Sequence, residues 1–166
     1  MRKKSVGHMQ CPIARSVERV GEWWSILILR DALQGLTRFD QFEDSLGIAP
    51  NMLTRRLTKL VQAGLLERRL YNEHPPRYEY VPTERGRDFR PVLLALLAWG
   101  NRHFAPEGPS VVIVDRKTGL QADPMIVDRI SGQPLEDSRF VLAAGPAARE
   151  GVRRRYAQSP SIEGAP

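Results

Sequence analysis

Residues 39–83 read FDQFEDSLGIAPNMLTRRLTKLVQAGLLERRLYNEHPPRYEYVPT, and this stretch decides the fold. Its centre is a helix expected over 50–63, where Leu53, Leu57, Leu60 and Val61 recur on a 3.6-residue period and share one inward face. Asn51, Met52, Arg55 and Lys59 fall on the opposite side, with Thr54, Arg56 and Thr58 on the flanks. That outer surface offers two guanidinium groups, an amine, an amide and two hydroxyls, and no carboxylate. Such groups donate to phosphate oxygens and to base edges. Ahead of it, Phe39, Phe42 and Leu46 stand at helical spacing over 39–46. Gly47 then supplies a break, and Pro50 suits the first turn of the next helix. A short helix, a glycine turn and a second helix with a basic outer face make a helix-turn-helix pattern.

The residues that follow sharpen this. Gly64 fits a helix C′ position, and 65–71 and 77–82 read as strands around a polar loop, 72–76. Leu66, Leu70, Tyr78 and Tyr80 carry the β-propensity, while Arg68, Arg69 and Arg77 carry charge. A hairpin directly after a recognition helix is a wing, which lies along the phosphate backbone or enters a minor groove. The alternative is that helix and hairpin are merely a solvated face of an ordinary small domain; the wing at this distance from the helix turns the reading toward DNA. The fold class is therefore mainly α with a small β component (α+β): a winged helix-turn-helix domain with a C-terminal β-hairpin extension.

Charge agrees with that partner. The 166 residues carry a formal net charge of +6 and a sequence pI of about 10.0, which suits a polyanion. Double-stranded DNA fits better than a membrane, because the apolar run 91–99 is too short to span a bilayer and no secretory apolar segment stands near the N-terminus. One cysteine excludes an intrachain disulfide framework and fits a reducing, cytoplasmic setting.

Taken in order, 1–10 reads as a flexible basic arm and 11–104 as the DNA-binding and dimerisation domain. Ile13, Val17 and Val20 share a face of a first helix, 13–21. A second helix, 22–33, is apolar on nearly every side and should be the central core element. Thr83 can cap a long helix over 84–104, where Phe89, Val92, Leu93, Leu96 and Leu97 form one stripe. Leu94, Ala95, Ala98 and Trp99 widen it until little polar face remains. That helix needs cover on a second side, and the same helix of a second subunit is the natural supplier; cover by the C-terminal extension is the alternative. The expected homodimer interface is thus Ile13, Val17, Phe89, Val92, Leu93, Leu96, Leu97 and Trp99. Residues 105–144 hold a weak repeat, Val114-Asp115-Arg116-Lys117-Thr118-Gly119 and Val127-Asp128-Arg129-Ile130-Ser131-Gly132, expected as a β-hairpin or meander over 111–142. Residues 145–166, with Arg153-Arg154-Arg155, read as a mobile tail.

A series of motifs carries a family resemblance. Cys11-Pro12-Ile13, the run from Val20 to Asp31 (VGEWWSILILRD), Arg38-Phe39, Gly47-Ile48, Leu53-Thr54-Arg55-Arg56-Leu57, Gly64-Leu65-Leu66, Pro75-Pro76-Arg77-Tyr78-Glu79-Tyr80 and Thr83-Glu84-Arg85-Gly86 together resemble the HxlR family of bacterial winged-helix regulators. The resemblance spans about 11–104 and implies a homodimeric transcription regulator related to the MarR type. One position departs from it: the family often has serine just before the recognition helix, where Ala49 stands here. Some relatives also carry cysteines at zinc-knuckle spacing in the extension. None stands here, and neither Asp115 nor Asp128 has a Cys or His companion in its own turn, so a metal-free extension is expected over a ligand site. Certain family members sense oxidants through an N-terminal cysteine, which puts Cys11 forward as a redox site. Its place ahead of a helix start, with Arg15 one turn on, favours a thiolate; a small packing residue is the preferred reading.

Enzymatic readings find no support in the residues. There is no phosphate-cradling glycine loop, no His-x-x-x-His or Glu-x-x-His pair, and His8, His74 and His103 fall in an arm, a wing tip and a helix end. No cofactor is expected. The expected DNA-binding set is Asn51, Met52, Thr54, Arg55, Arg56, Thr58, Lys59 and Arg77, on an inverted-repeat operator, with control by a small effector or by Cys11. The competing reading is a winged-helix ligand- or protein-binding module without specific DNA affinity.

Overall fold

Trp23–Leu33 forms the central helix, α2, with Ile28, Leu29 and Ala32 buried. The computed structural model describes residues 8–136 and 138–160; most of the expected arm (1–10) and the last six residues of the expected tail lie outside these. Helix α1, Pro12–Val20, precedes α2 and packs on it. Helices α3, Phe39–Leu46, and α4, Pro50–Gln62, close the core from the other side with Phe42, Leu53, Leu57 and Leu60, all fully buried. The turn between them depends on Gly47, whose φ of 58° is left-handed and whose N–H reaches the Glu43 carbonyl at 2.9 Å. Gln41 holds the start of α3, its side-chain oxygen accepting from the N–H groups of Thr37 and Arg38 at 3.0 and 2.9 Å.

Helix α4 has no such help. Ala49 sits at its cap in extended geometry and contributes no side-chain hydrogen bond. Ala49→Ser is accordingly expected to stabilise the fold by about 0.5–2 kcal/mol. Urea unfolding should show a higher midpoint at an unchanged slope.

Strands β1, Leu66–Glu73, and β2, Pro76–Pro82, pair antiparallel with Leu66 opposite Pro82 and Arg69 opposite Glu79, and an irregularity lies between Leu70 and Asn72. The chain ahead of α3 adds a short third rung. Arg38 bridges Glu79, and the Tyr80 N–H donates to the Thr37 carbonyl at 2.7 Å. The wing is thereby tied to the helix-turn-helix.

The single helix expected over 84–104 is two helices, α5 at Glu84–Arg87 and α6 at Arg90–Phe104. Pro91 explains the break, since it has no N–H to donate and its ring crowds the carbonyl four residues back, that of Arg87. Thr83 caps α5 as expected: its hydroxyl accepts from the Gly86 N–H at 3.1 Å and donates to the Gly64 carbonyl at 2.7 Å. Gly86 packs so closely that a Cβ there would collide with the Leu65 carbonyl.

The extension contains the expected hairpin, with short strands. Among the described residues of the extension, β3, Ile113–Val114, and β4, Gln121–Ala122, pair as strands, with one further bridge between Val127 and Pro134. The repeat is also real in three dimensions. Asp115 and Asp128 each donate from N–H to a carbonyl five residues on (2.9 and 2.8 Å), and each turn closes on a left-handed glycine, Gly119 or Gly132. Both carboxylates are engaged within their own turns, Asp115 with the Lys117 N–H and Asp128 with the Ser131 hydroxyl and N–H. The Ser131 hydroxyl and amide hold the Asp128 carboxyl below the usual aspartate range.

The described part of the tail carries one short element. Glu150–Arg155 forms a short helix, α7, and the Gln10 side chain grips the chain just before it, donating to the Ala147 carbonyl at 2.7 Å and accepting from the Arg149 N–H at 2.8 Å.

Candidate nucleic-acid interface

The inward stripe of α4 anchors the helix, and Asn51, Thr54, Arg55, Thr58 and Lys59 are all exposed on its other side. No carboxylate interrupts that surface. The Arg55 guanidinium rests against the Met52 sulfur at 3.3 Å, a weak acceptor from which it can swing free. The Thr58 hydroxyl donates to the Thr54 carbonyl at 2.8 Å, which leaves its oxygen as an acceptor and makes it a poor phosphate donor.

Two residues expected on this surface sit lower than the rest, Arg56 fully and Met52 in part. Met52 is half-buried and packs against the core. Arg56 is only 4% exposed, and its guanidinium lies 3.0 Å from a Glu22 carboxylate oxygen. Both border the Leu53–Leu57–Leu60 stripe on the helix wheel, close enough for a long side chain to fold beneath the surface. A carboxylate from the start of α2 meets Arg56 there, so it is unavailable to a phosphate.

The wing presents Arg77 in the open, beside a shallow cleft it shares with Arg38, Phe39, Asp40, Tyr71 and Tyr78. Its other arginines are engaged: Arg68 stacks 3.4 Å above the Tyr78 ring and Arg69 pairs with Glu67. Arg38, which was not among the expected site residues, lines the same cleft, and its guanidinium is 3.4 Å from Asp40 at the start of α3.

A second surface is apolar. Ile13 is 70% exposed and Val17 is exposed on α1; on α6, Val92, Leu96 (41%) and Trp99 (55%) are exposed, and no residue of that helix is buried. Leu93, Leu97 and Phe89 are half-buried, and Phe89 also packs against the core of its own chain. Trp23, stacked on Trp24 with ring centroids 4.1 Å apart, is another exposed ring that the sequence reading assigned to the core helix as a whole. Another flank of α6 faces the extension. Leu94, Ala98, Trp99 and Arg102 line a cavity of about 460 Å³ with Met125 and Ile126, and the Asn101 amide donates to the Val111 carbonyl at 2.9 Å.

Cys11 is a free, half-buried thiol at the cap position of α1. With Gln10, Arg149, Arg155 and Tyr156 it lines a cavity of about 350 Å³ beneath α7.

A trihelical core, a recognition helix with a basic face and a β-wing define a winged helix-turn-helix transcriptional regulator. Residues 19–108 match the HxlR-like helix-turn-helix family, and the chain belongs to it. An uncharacterized HTH-type transcriptional regulator of Mycobacterium tuberculosis (strain ATCC 25618 / H37Rv) is 37% identical over 135 residues, which is 81% of this chain and 85% of that one. Among solved structures, the Pseudomonas aeruginosa protein PA1374, assigned as a transcription factor, is 60% identical and matches with a TM-score of 0.63 over 87% of this chain and 99% of its own. The reduced form of the redox regulator HypR is 31% identical, with a TM-score of 0.53 over 56% of this chain and 95% of its own. The family and these relatives are regulators rather than enzymes. Among the described residues no helix is long and apolar enough to cross a membrane.

Proposed function

We propose that this chain binds an inverted-repeat DNA operator as a homodimer, with α4 in the major groove and the wing on the backbone or in a minor groove. The observation that carries the reading is the exposed, carboxylate-free basic surface of α4 flanked by Arg77 of the wing. Arg55, Asn51 and Thr54 read bases, and Lys59 and Arg77 hold phosphates. The exposed apolar faces of α1 and α6 form the two-fold interface, and a cytoplasmic location follows from the role. Selection of duplexes from a random pool by the full-length chain tests this: an enriched inverted repeat is expected. Enrichment of nothing above background would leave a ligand- or protein-binding module in its place. For a small effector, the cavity between α6 and the extension is the supporting feature, since anything seated there touches the dimerisation helix.

Likeness to HypR raises the question of thiol control, and Cys11 is this chain's single cysteine. Its half-burial beneath α7 supports a packing role. Peroxide or quinone treatment is therefore expected to change operator affinity equally in the wild type and in Cys11→Ser. A response present in the wild type and abolished in the variant would make the thiol a sensor.

A further inference from the structure

We propose that Arg56 is a positioning residue of the recognition helix: its ion pair with Glu22 fixes α4 against the α1–α2 junction and so sets where the reading face stands relative to the dimerisation helix. The inference rests on the DNA-binding reading above. Arg56 has a side chain 5% exposed, paired at 3.0 Å to Glu22, whose side chain is 31% exposed. Its Nε is buried with no hydrogen-bond partner. A guanidinium held this way is a poor core filler, because an orphaned buried N–H is unfavourable and a methionine of similar volume would pack at no such cost. What the ion pair adds over an apolar side chain is direction, since a guanidinium meets a carboxylate in a narrow range of orientations.

The other end of the pair explains why direction matters. Glu22 is the cap residue of α2, one position after Gly21. The junction is tight there: the Gly21 N–H bonds the Val17 carbonyl at 2.5 Å, and a Cβ on Gly21 would collide with that oxygen. Helix α1 itself packs on both α2 and α4, while its outer face exposes Ile13 and Val17. Arg56 therefore links the reading head to the rigid corner from which the apolar face of α1 projects. In a two-fold dimer the recognition helices must sit about one helical turn of DNA apart, roughly 34 Å, so a small rotation of α4 on this corner is enough to spoil register.

The test uses the full-length chain and the duplex it enriches from a random pool. Arg56→Met, Glu22→Gln and the double variant are titrated at several salt concentrations, with circular dichroism and melting to confirm folding. Each single variant is expected to bind roughly 3- to 30-fold more weakly. The salt slope should not change, the double variant should be no worse than either single, and tolerance of altered half-site spacing should increase. Glu22→Gln is the sharpest arm. Removing a carboxylate from a DNA-binding protein should by charge alone tighten binding, whereas loss of positioning weakens it. Unchanged or tighter binding by Glu22→Gln would overturn the proposal, and that arm decides even if Arg56→Met does not fold. So would a fall of about 1 in salt slope for Arg56→Met, which marks a phosphate contact, or losses that simply add in the double variant. A wild type that enriches no duplex would instead defeat the DNA-binding reading beneath it.

Discussion

Replacing Arg55 by alanine is expected to weaken operator binding by about 1–3 kcal/mol and to relax base preference at one position in each half-site. Arg55 is exposed at the centre of the outer face of α4, opposite the buried leucine stripe. Its present neighbour, the Met52 sulfur at 3.3 Å, is a weak acceptor that costs little to leave. A guanine presents O6 and N7 together, and the guanidinium fork satisfies both at once. Arg77→Ala should behave differently. A phosphate contact carries no sequence information, so binding to all duplexes should weaken alike and the salt slope should flatten by about 1 per lost contact. Titrations of both variants against the enriched duplex and one-base variants of it, at several salt concentrations, separate the two signatures. If neither substitution alters binding to any duplex, helix and wing are not the DNA surface.

Much of this surface was legible because the helix-turn-helix is built from local signals. Gly47 stops α3 where a left-handed residue is required, and the bounds 39–46 follow from that glycine and from Phe39, Phe42 and Leu46. The leucine period of α4 identified the buried face, and the wing followed from β-propensity on both sides of a proline-rich loop. What failed was the fate of long side chains at the border of a stripe. A helix wheel places Arg56 outside the core, but it carries no information about Glu22, which reaches it from another helix. Met52, expected on the opposite side, is drawn partly inward because an unbranched thioether is flexible enough to reach the core. The break between α5 and α6 was within reach, because Pro91 forbids a continuous helix at Arg87; the apolar stripe running across it concealed the break. The Arg38–Glu79 bridge and the Gln10 grip on Ala147 and Arg149 leave no periodic trace at all. Pairings that short, or that distant in sequence, emerge only when the core has placed both partners.

Leu96→Glu is expected to convert a dimer into a monomer and, with it, to abolish tight operator binding. Leu96, Val92 and Trp99 expose apolar surface along one side of α6, and Ile13 and Val17 do so on α1. A helix with no buried residue that still carries this much leucine, valine and tryptophan is apolar on more sides than its own chain covers. The extension takes one flank of it, through Leu94 and Ala98, and the remaining exposed residues face outward. In a two-fold interface every substitution acts twice. Burial of a leucine side chain is worth about 1.5–3 kcal/mol, so two losses amount to roughly a hundred- to ten-thousand-fold in the dimer constant; forcing two carboxylates into the interface adds to that. Because specific affinity requires two half-sites read together, a monomer retains little beyond weak, salt-sensitive attraction to any duplex. Sedimentation equilibrium gives the oligomeric state and the duplex titration gives the affinity, with Ile130→Glu on the exposed extension as the comparison. Dissociation by Leu96→Glu and by Ile13→Glu, with Ile130→Glu still dimeric, places the two-fold axis along α1 and α6. Dissociation by Ile130→Glu while Leu96→Glu stays dimeric would move the interface to the extension, and the apolar face of α6 would then need another occupant.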